Sequence, residues 1–92
     1  RDCWQIDICS GLPTIKGFKS FLNIVDVFSG YCMSVPLKLE TSAVIAKVLE
    51  ERIFQPFGIP KVISSDNAAN LNGPEIQKLL KFYNIKINYI NL

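Results

Sequence analysis

The segment from Phe18 to Phe28 is nearly continuous in apolar residues, and from Phe21 onward only Asn23 and Asp26 interrupt it. It is rich in β-branched and aromatic side chains and is followed at once by the turn pair Ser29-Gly30. That pattern reads as a strand with neighbours on both sides, so the chain must build a sheet around it. Tyr31 to Leu37 follows as a third strand, with Tyr31, Met33, Val35 and Leu37 in one phase, and closes a hairpin with the second. Pro36 suits an edge strand, because proline has no N–H for the ladder. Ahead of both, Asp2 to Cys9 alternates: Trp4, Ile6 and Ile8 share one face, while Cys3, Gln5, Asp7 and Cys9 share the other. Ser10 to Gly17 holds two glycines and a proline and reads as a loop.

The second half changes period. Thr41 or Ser42 is placed to cap a helix running to about Gln55, with Val44, Ile45, Val48, Leu49 and Ile53 on one stripe. Pro56 is expected to stop it. Lys61 to Ser65 reads as a short buried strand with Asp66 at its C-terminal end. Asn67 to Asn72 reads as a polar, mobile loop. Pro74 fits the first turn of a second helix, in which Ile76, Leu79, Leu80 and Tyr83 recur on one stripe. Asn84 suits a left-handed stop, and Ile85 to Ile90 alternates as a fifth strand. The order β-β-β-α-β-α-β implies a mixed α/β sheet, its last two strands parallel and its opening hairpin antiparallel.

Composition excludes several classes. At 92 residues this is one small domain at most, and both ends interrupt strand-like segments, so a piece of a larger domain is expected. Half the residues are apolar (49%) and the net charge is +2, which excludes a disordered tail and a polybasic or acidic arm. No stretch approaches the roughly 18 apolar residues a membrane span needs, and no leader pattern opens the chain. There is no histidine, which removes His-based triads and zinc fingers. Cys3 and Cys9, six positions apart on one strand, stand roughly 20 Å apart, beyond disulfide reach. Three reduced cysteines acting as small hydrophobes is the simpler reading.

Two aspartates invite chemistry. Aspartate is disfavoured in strands, so Asp7 needs a reason to be there. Asp66 lies where a strand ends, and open α/β sheets place their sites at such ends. If the first and fourth strands are neighbours, Asp7 and Asp66 point into one crevice. Two carboxylates held close repel unless a cation or proton lies between them, and an oxygen-only donor set suits Mg²⁺ or Mn²⁺. The competing reading is a strand-edge carboxylate paired with a lysine, such as Lys61 or Lys86.

The words around the aspartates decide between these. Trp4-Gln5-Ile6-Asp7 is followed by Leu22-Asn23-Ile24-Val25-Asp26-Val27-Phe28-Ser29-Gly30-Tyr31. Then come Glu40-Thr41, Ile53-Phe54-Gln55-Pro56-Phe57-Gly58-Ile59-Pro60-Lys61-Val62-Ile63 and Ser64-Ser65-Asp66-Asn67. In order and spacing they resemble the catalytic core of retroviral and long-terminal-repeat retrotransposon (Ty3/gypsy-like) integrases, over essentially the whole chain. The resemblance implies a ribonuclease-H-like mixed five-stranded sheet without its C-terminal helices, residues 1–92 forming a partial integrase catalytic core. It implies a metal-dependent polynucleotidyl transferase that processes the 3′ ends of element DNA and joins them to target DNA. The first two acids of the family's D,D,E triad map to Asp7 and Asp66, as ligands for Mg²⁺ or Mn²⁺. Element ends and target DNA are the implied partners, with homo-oligomerisation of the full-length protein and no membrane. The implied location is the nucleus, reached by way of a cytoplasmic particle.

Three departures matter. The triad glutamate belongs to a helix beyond Leu92, and Glu75, which opens the preceding helix, does not replace it. A two-ligand site should hold Mg²⁺ weakly, so the 92 residues alone are expected to be inactive. Ala68 stands where the family usually has glycine, which strains the loop if its φ is positive. Leu71 stands where an aromatic is common. Of the remaining polar residues, Asp26 reads as a turn-capping side chain and Gln5 shares the Asp7 face. Asn67, Asn70, Lys78 and Lys81 are candidate DNA contacts, with loop satisfaction and a solvated helix face as the alternatives. Trp4, Phe21 and Tyr83 read as core. Competing functions are another DDE transposase or ribonuclease-H-like nuclease, and a non-catalytic domesticated remnant that binds DNA or protein. The glycine and serine or threonine that often follow the first aspartate of ribonucleases H are replaced here by Ile8 and Cys9.

Overall fold

A computed structural model describes residues 2–9, 20–65 and 71–89. Five strands form one sheet: β1 (Cys3–Cys9), β2 (Ser20–Asp26), β3 (Cys32–Leu37), β4 (Val62–Ser65) and β5 (Lys86–Tyr89), in the spatial order β3-β2-β1-β4-β5. β1 and β2 run antiparallel, as do β2 and β3, while β1–β4 and β4–β5 are parallel. β2 lies inside the sheet, as its apolar run predicts, but β1 is the central strand. β3 is an edge strand, which explains how Pro36 is tolerated in it.

Alternation sorts the sheet's two faces. Trp4, Ile6, Leu22, Ile24, Val35, Leu37 and Ile63 are buried on one face, beneath the helices. Cys3, Gln5, Asp7, Asn23, Val25 and Ser34 take the other face, where exposure is partial or full. Phe21 belongs to this second face and is only half-buried, so it is not a core residue. Trp4 is fully buried and packs against Phe57, ring centroids 5.2 Å apart, with Tyr31 edge-on to both. Among the described residues no helix is long and apolar enough to cross a membrane, and Cys3, Cys9 and Cys32 are free.

The hairpin between β2 and β3 is held by Asp26. Its buried carboxylate accepts hydrogen bonds from the Ser29 hydroxyl at 2.8 Å and the Phe28 N–H at 3.2 Å. Gly30, at φ +76°, supplies the left-handed step that lets its N–H return to the Asp26 carbonyl. The turn-capping role expected of Asp26 is therefore seen. β2 ends at this residue, which leaves Val27 and Phe28 in the turn and exposed.

The first helical segment departs from expectation at its end. Thr41 caps α1 (Ser42–Leu49), accepting from the Val44 N–H. The chain then widens into a π-helical turn, Glu50–Phe54, before α2 (Gln55–Phe57). Pro56 does not stop the helix. It lies in the first turn of α2, just past the widened turn, where its missing N–H breaks no regular i→i−4 ladder. Gly58 ends the helix, at φ +92°. Ile45, Leu49 and Ile53 of the sequence stripe are buried in the core together with Ala46 and Phe54, while Val44 and Val48 are only partly buried against it.

Leu71 also departs from expectation. The segment Asn67 to Asn72 reads as a polar, mobile loop, yet Leu71 is fully buried. Residues 67–70 lie outside the described residues. α3 (Pro74–Phe82) buries Ile76, Leu79 and Leu80, and Tyr83 packs edge-on to Phe54. Asn84, at φ +57°, makes the left-handed exit into β5.

Candidate functional site

Asp7 stands in the C-terminal half of the central strand, on the sheet face away from the helices. Its neighbours Ile6 and Ile8 turn to the core, so alternation exposes the carboxylate and no burial cost arises. Gln5 lies on the same face, as the sequence suggests. The parallel β1–β4 ladder fixes what comes alongside, pairing Cys3 with Val62, Trp4 with Ile63 and Gln5 with Ser64. Cys3 Sγ and Ser64 Oγ, 3.4 Å apart, show that the two strands share this face. The first and fourth strands are thus neighbours, the condition on which the crevice depends. β4 ends at Ser65, and Asp66 is the next residue in the sequence. Asp66, Asn67, Ala68 and Asn70 lie outside the described residues.

Lys61 and Lys86 stand at the other end of the sheet from Asp7. The N–H groups of Lys61 and Val62 both donate to the Asp2 carbonyl, which puts Lys61 at the start of β1. Lys86 pairs with Val62, at the same end of the sheet. Asp7 lies five residues farther along its strand than Asp2, on the order of 16 Å. Neither lysine reaches across that span.

On the β2 side, Asp7 is directly paired with Asn23, and Asn23 with Ser34 of β3. The Ser34 hydroxyl donates to Asn23 Oδ1. Three polar side chains therefore stand in one row across three strands. The sequence signal for this row is an asparagine inside an otherwise apolar strand, but only the register reveals that it stands opposite Asp7.

Leu71 and the start of α3 are held by contacts that local sequence does not show. Leu71 is buried and its carbonyl accepts from the Gln77 side-chain amide. Gly73 caps α3 without a side chain of its own; Ser42, at the start of α1, instead accepts from the Ile76 N–H at 3.0 Å. Ser42 is thus a cap for α3, while Thr41 caps α1. The two helix starts approach so closely that a Cβ on Gly73 would stand 2.1 Å from Ser42 Oγ and 2.2 Å from its Cβ. Glycine is required at position 73 for this close approach.

Lys78 and Lys81 are both exposed on α3. Lys78 lines an open groove of about 440 Å³ between α1 and α3, beside Lys47, Glu50 and Glu75. That groove is in the helical layer, across the sheet from the Asp7 face, so the described structure does not gather Lys78 with Asp7. Glu75 also faces the groove, consistent with its exclusion from the triad. Among the described residues no three Asp, Glu, Cys or His side chains gather as a metal site. A site built on Asp7 therefore needs a ligand from beyond them.

Comparison with known proteins gives a consistent picture. A family model described as the integrase core domain matches residues 1–91. Over 64 residues the chain is 45% identical to the Gag-Pol polyprotein of baboon endogenous virus (strain M7), covering 70% of this chain and 4% of that protein. It is 44% identical over 64 residues to the Gag-Pol polyprotein of feline leukemia virus, with the same coverage of 70% and 4%. Over 82 residues, 89% of this chain, it is 37% identical to the Pol polyprotein of radiation murine leukemia virus (strain Kaplan), of which it spans 14%. The chain thus corresponds to a small part of each of these relatives.

The Ser42–Gly73 contact makes a prediction. Gly73→Ala should destabilise the fold by about 1–3 kcal/mol through overpacking, read as a lowered urea midpoint. Ser42→Gly removes both clashing atoms, so the double variant should lose less than the sum of the two single losses.

Proposed function

The chain belongs to the integrase core domain family, and on that footing we propose that its parent protein integrates DNA, cleaving and joining polynucleotide ends with Asp7 and Asp66 as metal-binding acids. Its five-stranded mixed sheet and β-β-β-α-β-α-β series agree with the ribonuclease-H-like fold of that family. The observation that carries the proposal is the parallel pairing of β1 with β4. Its last described rung is Gln5 with Ser64. In the sequence, Asp7 and Asp66 each stand two residues on from that rung, and this equal spacing is what supports reading them as one pair.

The donor chemistry fits Mg²⁺ or Mn²⁺. Asp7 offers hard oxygen atoms, and its exposed position leaves room for the water ligands these ions keep. When bound, such ions lower the pKa of an attacking water and offset charge on the phosphorus centre. The chain's own part is geometric. The central strand fixes Asp7, β4 runs beside it as far as Ser65, and Leu71 is buried. Asn67 and Asn70, by position after Asp66 in the sequence, are proposed to contact DNA near the acids. Lys78 and Lys81 are proposed to contact phosphate along α3, as position-setting rather than sequence-reading contacts.

In full-length protein, Asp7→Asn and Asp66→Asn should each lower strand transfer by about 100-fold or more while leaving DNA binding in place. The assay is joining of a labelled element end to target DNA in Mg²⁺ or Mn²⁺. Near-wild-type joining by either variant contradicts the assignment. In the same assay the 92 residues by themselves should join no DNA, since the family's third acid is not among them; clear joining refutes that expectation.

A further inference from the structure

The geometry points to Asn23 as a positioning residue for Asp7, itself oriented by Ser34. This rests on the reading of Asp7 as a metal ligand and adds the residues that hold its carboxylate. Asn23 is the direct cross-strand partner of Asp7, and Ser34 is the direct partner of Asn23. Side chains so paired share a face, with Cβ atoms about 4.5–5.5 Å apart. The Ser34 hydroxyl donates to Asn23 Oδ1, which turns that oxygen toward β3. The planar amide then leaves its two Nδ2 hydrogens for the β1 side, on which Asp7 is the cross-strand neighbour. Turning the amide over would set Oδ1 against a carboxylate oxygen, acceptor against acceptor, so the carboxylate and the serine favour the same orientation.

The surroundings strengthen the case. Asn23 is the one polar position between the half-buried Phe21 and Val25 on this face of β2. Asparagine costs β-strand stability, and a valine or isoleucine would suit the position better. A polar pair kept there, in register with a carboxylate, is explained by what it does to that carboxylate. A ligand held by a hydrogen bond loses less rotational freedom when a cation arrives. Partners of this kind typically change metal affinity by about 10- to 100-fold.

The test measures Mn²⁺ binding to full-length protein through loss of the free ion's electron paramagnetic resonance signal, with Asp7→Asn as the reference for loss of the site. Asn23→Val should raise the half-saturating Mn²⁺ concentration about 10-fold while leaving the metal-free melting temperature unchanged or higher. Ser34→Ala, at an exposed position, should shift binding in the same direction by less, and Ser34→Thr, which keeps the hydroxyl, should bind as wild type. Because Ser34→Ala removes only an exposed hydroxyl, it keeps the test alive if Asn23→Val does not fold. Wild-type binding by both Asn23→Val and Ser34→Ala, with binding lost in Asp7→Asn, overturns the role of Asn23 and leaves the metal site standing. Wild-type binding by Asp7→Asn overturns the metal site, and this inference with it.

Discussion

The parallel hydrogen-bonded ladder between β1 and β4 is the contact on which the rest of this structure depends. Parallel pairing sets the carboxyl ends of both strands at the same end of the sheet. The rung from Gln5 to Ser64 sets how far each strand runs beside the other. A slip of one residue would turn Asp7 into the core and Ile6 out of it. The buried Trp4 and Ile6 oppose that slip, because it would expose both of them. Core packing therefore fixes the position of a side chain that is not in the core.

The helical layer acts on the same end of the molecule from the other side of the sheet. α1 and α3 pack together, and their N-termini meet where Ser42 accepts the Ile76 N–H and Gly73 leaves no room for a side chain. Leu71, just upstream of α3, is buried as well. The π-helical turn at Glu50–Phe54 belongs to the same layer. It lets the chain carry Pro56 without a break, so the helix reaches Phe57, which packs on Trp4.

What was legible in the sequence was what depends on local pattern. Alternation in Cys3–Cys9, the apolar run around Leu22 and Ile24, the two helical stripes and the Asn84 exit all appear where periodicity and turn chemistry put them. The resemblance carried by Trp4-Gln5-Ile6-Asp7 and Ser64-Ser65-Asp66-Asn67 agrees with the family match over residues 1–91. What was illegible depends on contacts between distant segments. Pro56 as a stop is the usual rule, and only the widened turn preceding it explains the exception. Leu71 stands among polar neighbours in the sequence, and its partner Gln77 lies on the next helix. Ser42 competes with Thr41 as a cap for α1 on local grounds, and only the packing of α1 on α3 gives it to Ile76. Asn23 looks like an interruption until the register sets it beside Asp7.

The central proposal is that Asp7 and Asp66 hold a divalent cation together. Anomalous diffraction from crystals of the full-length protein soaked in Mn²⁺ tests it most directly. The account predicts a manganese peak at coordination distance, about 2.1 Å, from a carboxylate oxygen of each of Asp7 and Asp66. Carboxylates found on opposite faces of the sheet, or a manganese peak bound by neither, would contradict it.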